Sequence, residues 1–374
     1  MASLAWKNLV HDKVRLGVTL TGIVFALVLV LVQFGLFLGF METTANIVAH
    51  SGADLWITGP GIPHVNGATP IPESRRYRAL AVDGVAKVEK YNIQFVQWKL
   101  PTGSTESVQV VGFDLESGLG GPWNIVAGSV EDLRGEDTVM VDELYMQKLG
   151  VTGLGHVAEI QGKRARVVGL TRAIRSFTTA PYVFMSFKNS LNYARVQPDE
   201  TLFLLVRLKP GASAQAVRKA LLAEVPGIDV FTNAELQKKT QNYWLFSTGA
   251  GITTLLGAAL GLMVGMVVVA QTIYASTVDH IREFGTLKAM GAGNSYVYKV
   301  IIQQALISAF FGYLFALAAG YFVSKQSETG NAAILLPPEM AWGTLALAAV
   351  MCIGASVISI RKATTIDPAL VFKG

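Results

Sequence analysis

Residues 16–41 read LGVTLTGIVFALVLVLVQFGLFLGFM, a run that contains no Asp, Glu, Lys or Arg. Three further stretches share this property, at residues 240–278, 300–324 and 340–360. About 20 apolar residues in a helix are enough to cross the roughly 30 Å hydrocarbon core of a bilayer. The four runs therefore predict an integral membrane α-helical protein with four transmembrane helices.

The overall composition supports a membrane protein that also carries a water-exposed domain. Hydrophobic residues make up 51% of the 374 residues and charged residues 15%, with a mean hydropathy of +0.43. Average soluble chains carry about 25% charged residues, so a fully soluble globule and a disordered chain are both excluded. Residues 42–239 hold 21 of the 31 Lys and Arg and 20 of the 26 Asp and Glu. We therefore expect a large folded domain between helices 1 and 2.

Basic residues beside the runs predict the orientation of the chain. Short cytoplasmic loops carry an excess of Lys and Arg. The two termini and the loop between the second and third runs share nine of them: Lys7, Lys13, Arg15, Arg282, Lys288, Lys299, Arg361, Lys362 and Lys373. The loop between the third and fourth runs has only Lys325. Both termini are thus predicted in the cytoplasm, with the large domain on the other side of the membrane.

These boundaries divide the chain into nine predicted parts. They are an amphipathic cytoplasmic helix (1–15), helix 1 (16–41), the outer domain (42–240), a stalk with helix 2 (241–278), a cytoplasmic loop (279–299), helix 3 (300–324), an outer loop (325–339), helix 4 (340–360) and a cytoplasmic tail (361–374). Trp6, Leu9 and Val10 form the apolar face of the first helix, which suits the inner leaflet.

The outer domain predicts a mixed α/β fold. Strand-like residues 53–58 and 91–100 flank a helix-like segment at 73–82, and a second unit follows at 202–208, 213–224 and 228–231. We expect the two β-α-β units, at the two ends of the domain, to pair into one lobe. Residues from about 105 to 190 would then form an inserted, strand-rich lobe.

The second charge-free run is longer than a membrane span requires. Residues 240–278 would extend about 58 Å as a helix, at about 1.5 Å per residue. Asn233, a short distance upstream, suits a helix N-cap. The run therefore predicts a helix that leaves the outer domain unbroken as a stalk and enters the membrane. An ordinary span with a polar helical start is the alternative.

Small residues recur every fourth position in the spans, where close helix contacts replace the missing hydrophobic driving force. Helix 2 has the longest such stripe: Gly249, Thr253, Gly257, Gly261 and Gly265. The stripe serves either packing within one chain or the seam of a homodimer, and the sequence leaves both open. Because the spans hold no ionisable Asp, Glu, Lys or Arg, a proton- or ion-coupled carrier is disfavoured.

The sequence carries no catalytic, metal-binding or nucleic-acid-binding pattern. G-x-S-x-G, H-E-x-x-H and Walker A motifs are absent, and His50, His64 and His156 are isolated. Cys352 is the only cysteine, which excludes an intrachain disulfide. Basic residues do not cluster as a nucleic-acid surface requires. We therefore expect a chain that is not an enzyme, binds no cofactor or metal and has no nucleic acid partner.

Residues 278–292, VDHIREFGTLKAMGA, predict a short amphipathic helix after helix 2. Its apolar stripe is Val278, Ile281, Phe284, Leu287 and Met290. Such a helix either docks into a groove of a partner protein or rests on the inner leaflet.

The same segment resembles the cytoplasmic loop of MacB/FtsX-like ABC transporter permeases, in which R-E-x-G-x-x-[KR]-A-x-G-A recurs. The order of one span, a large domain and three spans is also similar, as is the IDPA sequence at residues 366–369. Residues 4–9 (LAWKNL), 75–80 (RRYRAL) and 95–98 (FVQW) resemble the DevC branch, which lacks a fused ATPase.

The resemblance implies a permease subunit in the cell inner membrane that transmits the motion of a separate ABC ATPase to its periplasmic domain. ATP and Mg would bind on that partner. The implied coupling residues are Ile281, Arg282, Glu283, Phe284, Gly285, Leu287, Lys288, Ala289, Gly291 and Ala292. The other implied partners are a second copy of the chain, a periplasmic membrane-fusion adaptor, an outer-membrane channel and the lipid bilayer.

The implied activity is efflux of a glycolipid, another lipid or a hydrophobic small molecule. Two alternatives of the same fold stay open. One is an FtsX-like signalling subunit that activates a cell-wall hydrolase, and the other is a lipoprotein-releasing permease.

Overall fold

A computed structural model describes residues 13–327, 330 and 333–364, together with Trp6 and His11. The side chains of Arg15, Arg282, Ala289 and residues 358–364 lie outside that description. Most of the amphipathic segment predicted at 1–15, and the IDPA sequence at 366–369, also lie outside the described residues.

The helices of the described chain follow the predicted order. They are α1 (Lys13–Thr44), α2 (Asn46–Ala49), α3 (Ser74–Ala81), α4 (Met146–Leu149), α5 (Phe187–Tyr193), α6 (Ala214–Glu224), α7 (Asn233–Phe246), α8 (Gly249–Asp279), α9 (Ile281–Ala289), α10 (Asn294–Ser327) and α11 (Pro338–Thr364). Segments of α1, α8, α10 and α11 are long and apolar enough to cross a membrane. The prediction of four transmembrane helices, with an α/β domain between the first two, is confirmed.

The chain separates into two compact units. A membrane unit holds α1 as far as Gly39 and most of the chain from Thr253 onward, and an α/β unit holds Phe40–Ile252. In the membrane unit, buried side chains of all four long helices meet in one apolar cluster, which includes Ile23, Leu27, Val269, Ala309, Ala316, Ala348 and Cys352. Cys352 is fully buried there and acts as a small packing residue.

The strands belong to the α/β unit. They are β1 (Leu55–Thr58), β2 (Ile71–Pro72), β3 (Val85–Lys99), β4 (Thr105–Phe113), β5 (Ile125–Ala127), β6 (Thr138–Asp142), β7 (Val157–Ile160), β8 (Lys163–Thr171), β9 (Tyr182–Ser186), β10 (Glu200–Thr201), β11 (Phe203–Leu208) and β12 (Asp229–Thr232). β2 and β10 pair only with each other, and the rest form one continuous sheet.

The two predicted β-α-β units interleave in an antiparallel sheet of order β12–β1–β11–β3. β1 and β3 come from the first unit, and β11 and β12 come from the second. Apolar side chains of α3 and α6 cover one face of this sheet, where Ala79, Val217 and Leu221 pack against strand residues such as Ile57 and Val206.

The residues predicted as an inserted lobe form a closed barrel with the second half of β3. The circuit of paired strands runs β3–β4–β9–β6–β8–β7 and returns to β3. Residues 85–91 of β3 pair with β11, and residues 92–99 pair with β4. One continuous strand therefore belongs to both the four-stranded sheet and the barrel.

The prediction of an unbroken stalk helix is wrong. α7 ends at Phe246, and α8 begins at Gly249 after a bend at Ser247 and Thr248. The hydroxyl of Thr248 donates to the carbonyl of Trp244 at 2.6 Å. A Cβ at Gly251 would collide with the backbone of Leu245, so the glycine permits this close bend.

The cap of α7 also differs from the prediction. Thr232, and not Asn233, is the N-cap, because its hydroxyl accepts from the N–H of Glu235 at 3.2 Å. The Glu235 carboxylate accepts in return from the Thr232 N–H at 2.9 Å, which completes a capping box. Asn233 instead bonds to Val48 in α2 and to Ser51 and Ala53 between α2 and β1.

Asp142, at the end of β6, holds the loop that follows β8. Its carboxylate accepts from the Thr171 hydroxyl at 2.8 Å, from the Ile174 N–H at 2.8 Å and from the Leu144 N–H at 3.0 Å. Burial raises the pKa of Asp142, and hydrogen bonds to the carboxylate oppose that shift. All of its bonds need acceptor oxygens.

We therefore predict that Asp142→Asn destabilises the chain, because the amide nitrogen replaces one acceptor with a donor. A buried donor left unpaired costs about 1–3 kcal/mol, and about 2–4 °C of melting temperature follows per kcal/mol in a domain of this size. Thermal unfolding of the detergent-solubilised chain measures the loss. Asp199→Asn, at an exposed site, is the control, and equal melting temperatures of the two variants would contradict the role of Asp142.

Candidate functional site

The segment singled out at residues 278–292 folds as α9 between two defined turns. At its start, the Phe284 N–H donates to the carbonyl of His280 at 3.1 Å. At its end, the Gly291 N–H donates to the carbonyl of Lys288 at 2.9 Å, and the Ala292 N–H donates to the carbonyl of Leu287 at 3.0 Å. With Gly291 at φ +94°, these bonds make a Schellman motif. The motif explains why a glycine stands at this position.

Phe284 is the buried anchor of α9. Its side chain is fully buried and packs with Val297, Val300 and Ile301 at the start of α10. The structure buries Gly285 as well, and it leaves Ile281, Leu287, Lys288 and Ala292 partly buried. The contacts of Phe284 therefore fix α9 against the helix that follows it in the chain.

This packing leaves Phe284, one of the five residues of the predicted apolar stripe, with no surface for a partner. Residues of α10 enclose the ring of Phe284, so this side chain is buried within its own chain. The exposed side of the turn carries Glu283, Thr286, Met290 and Gly291 instead. Met290 is 71% exposed, and Tyr296, in the first turn of α10, is 47% exposed. The side chains of Arg282 and Ala289 lie outside the described ones.

His280 is a residue of this site to which sequence reasoning gave no role. Its ring is 5% exposed, and its Nδ1 lies 3.0 Å from Oε1 of Glu283. The ring also lies 6.5 Å from that of Phe284. The sequence could have indicated this pair, because a spacing of three residues at the start of a helix places both side chains on one face. The pair holds the bend between α8 and α9.

The small-residue stripe of α8 packs within the chain over three of its five positions. A Cβ at Gly257 would lie 3.3 Å from Oε1 of Gln33 on α1. At Gly261 it would lie 2.9 Å from Cγ of Gln33, and at Gly265 it would lie 3.0 Å from Cγ2 of Val30. Gly249 faces open space, and Thr253 is exposed. Of the two readings left open, packing within one chain accounts for Gly257, Gly261 and Gly265.

Two of the three isolated histidines of the α/β unit, His50 and His64, take part in ring contacts. His50 stacks on Trp123 with ring centroids 4.2 Å apart, and His64 lies 4.2 Å from Tyr243. Burial lowers the pKa of His64, whose Nδ1 accepts from the Asn66 N–H at 3.2 Å. Among the residues that the structure describes, no three metal-ligating side chains come together as a metal site. These histidines therefore stabilise the fold.

Comparison with known families divides the chain as its architecture does. Residues 16–224 match the MacB-like periplasmic core domain, and residues 255–368 match the FtsX-like permease C-terminal family. An uncharacterized ABC transporter permease of Mycobacterium tuberculosis is 25% identical over 384 residues and is covered over 100% of both chains. A macrolide export ATP-binding/permease protein MacB of Wolinella succinogenes is 23% identical, and the match covers 98% of this chain but 59% of that protein.

Among solved structures, the periplasmic region of MacB from Actinobacillus actinomycetemcomitans aligns with a TM-score of 0.39 and 12% identity. The alignment covers 51% of this chain and 94% of that structure.

The glycine contacts of α8 generate a prediction for the membrane unit. Gly261→Leu should lower the melting temperature of the detergent-solubilised chain, because the larger side chain collides with Gln33 and overpacking costs about 1–3 kcal/mol. Gly249→Leu makes the same chemical change where no atom lies within 4 Å and should leave the melting temperature unchanged. The assignment of Gly261 to intrachain packing fails if the two variants melt alike.

Proposed function

The chain belongs to the family of MacB/FtsX-like ABC transporter permeases, and from this premise we propose that it is the permease subunit of an ATP-driven export system. The observation that carries the proposal is the rigid turn built by α9. This turn is joined covalently to two membrane helices, α8 and α10, and it presents an exposed apolar side chain at Met290. A partner that pushes on the turn would displace both helices.

Three contacts support the rigidity of the turn. The His280–Glu283 pair holds its beginning, Phe284 anchors its middle to α10, and the Schellman motif at Gly291 closes its end. A flexible loop would absorb an applied force by changing shape, whereas a packed helix passes the force to its neighbours. In this role Met290 is the anchor for an apolar pocket of the ATPase, because exposed apolar side chains with flexible shapes suit such pockets.

ATP and Mg are proposed to bind on a separate ATPase chain. The sequence has no Walker A motif, and it matches 59% of the length of a relative whose name combines ATP-binding and permease activities. A chain of this kind supplies no catalytic group and acts as a non-catalytic transport subunit. The ATPase turns over, and the permease transmits its motion.

The proposed cargo is a glycolipid, another lipid or a hydrophobic small molecule, which is moved by the α/β unit and not through a polar path. In support, the described helices of the membrane unit pack apolar side chains around one cluster. The proposal includes an inner-membrane location with both termini in the cytoplasm and a homodimer. A periplasmic membrane-fusion adaptor and an outer-membrane channel complete the proposed system. The excess of basic residues beside both termini supports the orientation.

The orientation predicts which cysteines react from outside the cell. Thr102→Cys and Asn192→Cys, each in a Cys352→Ala background, place thiols at exposed sites of the α/β unit. Both should react with an impermeant thiol reagent in intact spheroplasts, because this unit is proposed to face the periplasm. A cysteine at Thr286, on the exposed side of α9, is the control and should react only after lysis. The opposite pattern would reverse the topology.

The proposed ATPase contact predicts that charge at Met290 and charge at Phe284 act differently. Met290→Asp should weaken the affinity of the permease for the ATPase by about 30-fold and so lower the amount of ATPase that co-purifies, since an interface anchor contributes about 2 kcal/mol or more. It should leave the melting temperature of the permease alone unchanged. Phe284→Asp should lower that melting temperature, because it buries a charge among apolar side chains of α10.

Leu154→Asp is the matched control for the Met290 variant, since Leu154 is 53% exposed in the α/β unit. This variant should retain the ATPase at the parent ratio. Met290→Asp that co-purifies with the ATPase at the parent ratio would show that this face of α9 is not the contact.

A further inference from the structure

Residues 172–181, between β8 and β9, form a loop that is fixed to the barrel by buried polar groups. We name it the brace loop. The carboxylate of Asp142 accepts from the Ile174 N–H at 2.8 Å. The side-chain amide of Gln109, on β4, donates to the Ser176 hydroxyl at 2.8 Å and to the Ala180 carbonyl at 3.3 Å. These anchors lie on two different barrel strands, so the loop follows the barrel.

The tip of the brace loop reaches the two places where the α/β unit continues into its flanking helices. The ring of Phe177 lies 5.8 Å from that of Phe40, near the end of α1, and 4.3 Å from that of Trp244, near the end of α7. The amide of Asn46 adds a hydrogen bond to the carbonyl of Arg175 at 3.2 Å. One aromatic side chain thus contacts both chain connections of the unit.

The two connections are themselves tied together. The amide of Gln241, on α7, donates to the Met41 carbonyl at 3.0 Å. Near the other end of α7, the side-chain amide of Asn233 donates to the carbonyl of Val48 at 2.8 Å and to the carbonyl of Ala53 at 3.2 Å. We name this assembly, made by residues 40–53 and α7, the root. A displacement of either connection therefore displaces the whole root.

The barrel and the root are joined by more than one route. β1 and β12 link the root to the four-stranded sheet, and β3 continues from that sheet into the barrel. Ile47, Val48 and Leu236 of the root also share one buried apolar cluster with the barrel residues Met140 and Phe184. The brace loop adds an aromatic contact to the root at Phe40 and Trp244, two residues that this cluster does not include.

We propose that Phe177 is a positioning residue that makes the barrel move with the root as one body. Its ring contacts both Phe40 and Trp244, and the hydrogen bonds of Asp142 and Gln109 to the brace loop fix the position of that ring. The consequence for transport rests on the proposed function, because it requires an ATPase to move the connections. The mechanical link between barrel and root does not depend on that proposal.

The link is measured by the distance between two spin labels in the full-length chain. The labels are attached at Gln97→Cys, an exposed position on β3 in the barrel, and at Asn242→Cys, an exposed position on α7, in a Cys352→Ala background. In lipid vesicles without nucleotide, the parent should give one narrow distance distribution. Phe177→Ala should at least double its width, and Phe177→Leu, which keeps an apolar side chain, should give an intermediate width.

Phe231→Ala is the matched control, because Phe231 is also a partly buried aromatic residue of the α/β unit but lies outside the brace loop. Its distribution should keep the parent width. The brace is overturned if Phe177→Ala and Phe177→Leu keep the parent width, or if Phe231→Ala broadens the distribution as much as Phe177→Ala.

A second arm adds the ATPase with ATP and vanadate. In the parent, the label distance should stay within the nucleotide-free distribution, because the barrel follows α7. In Phe177→Ala, the mean distance should shift, because α7 moves without the barrel. A shift in the parent, or none in either chain, overturns the transmission role of Phe177. If the ATPase does not bind the parent, the proposed function fails, while the nucleotide-free widths still decide the brace.

Discussion

Close contact between α1 and the glycine faces of α8 and α10 sets the arrangement of the membrane helices. A Cβ at Gly265 would lie 3.0 Å from Val30, and Cβ atoms at Gly312 and Gly320 would lie 2.5 Å from Ile23 and 3.1 Å from Leu31. In lipid, apolar side chains gain nothing by leaving the solvent, so helices associate through dispersion contacts between closely fitted surfaces. α1 therefore serves as the common neighbour of two other helices. The loop before α11 adds a hydrogen bond to α1, from the Leu335 N–H to the Gly35 carbonyl at 3.0 Å.

The sequence predicted those features that depend on local composition. Charge-free runs identified the four spans, and the alternation of apolar and polar residues at 91–100 identified part of β3. It did not predict that Phe284 packs against α10, because the period of an amphipathic helix shows which side chains share a face but not what covers that face. The break between α7 and α8 was missed for a related reason. Ser247 and Thr248 are tolerated in helices, and Gly251 shows its effect only when the returning backbone is placed beside Leu245.

Polar groups of the α/β unit hold loops and chain connections in place. The side chains of Asp142 and Gln109 form hydrogen bonds to the brace loop. The side-chain amide of Asn233 donates to three acceptors in the chain before β1. These hydrogen bonds are needed because a buried polar group without a partner costs free energy. The fixed geometry that results suits the proposed transmission of force.

Closure of the barrel has a consequence for the behaviour of the α/β unit among other proteins. An open sheet edge presents unpaired N–H and C=O groups to which a strand of another molecule can add, whereas a closed barrel has no such edge. Among the described strands, the continuous sheet ends at β12 and β5, which are four and three residues long. Both are shorter than a typical strand of about five or six residues. The topology thus limits aggregation by strand addition.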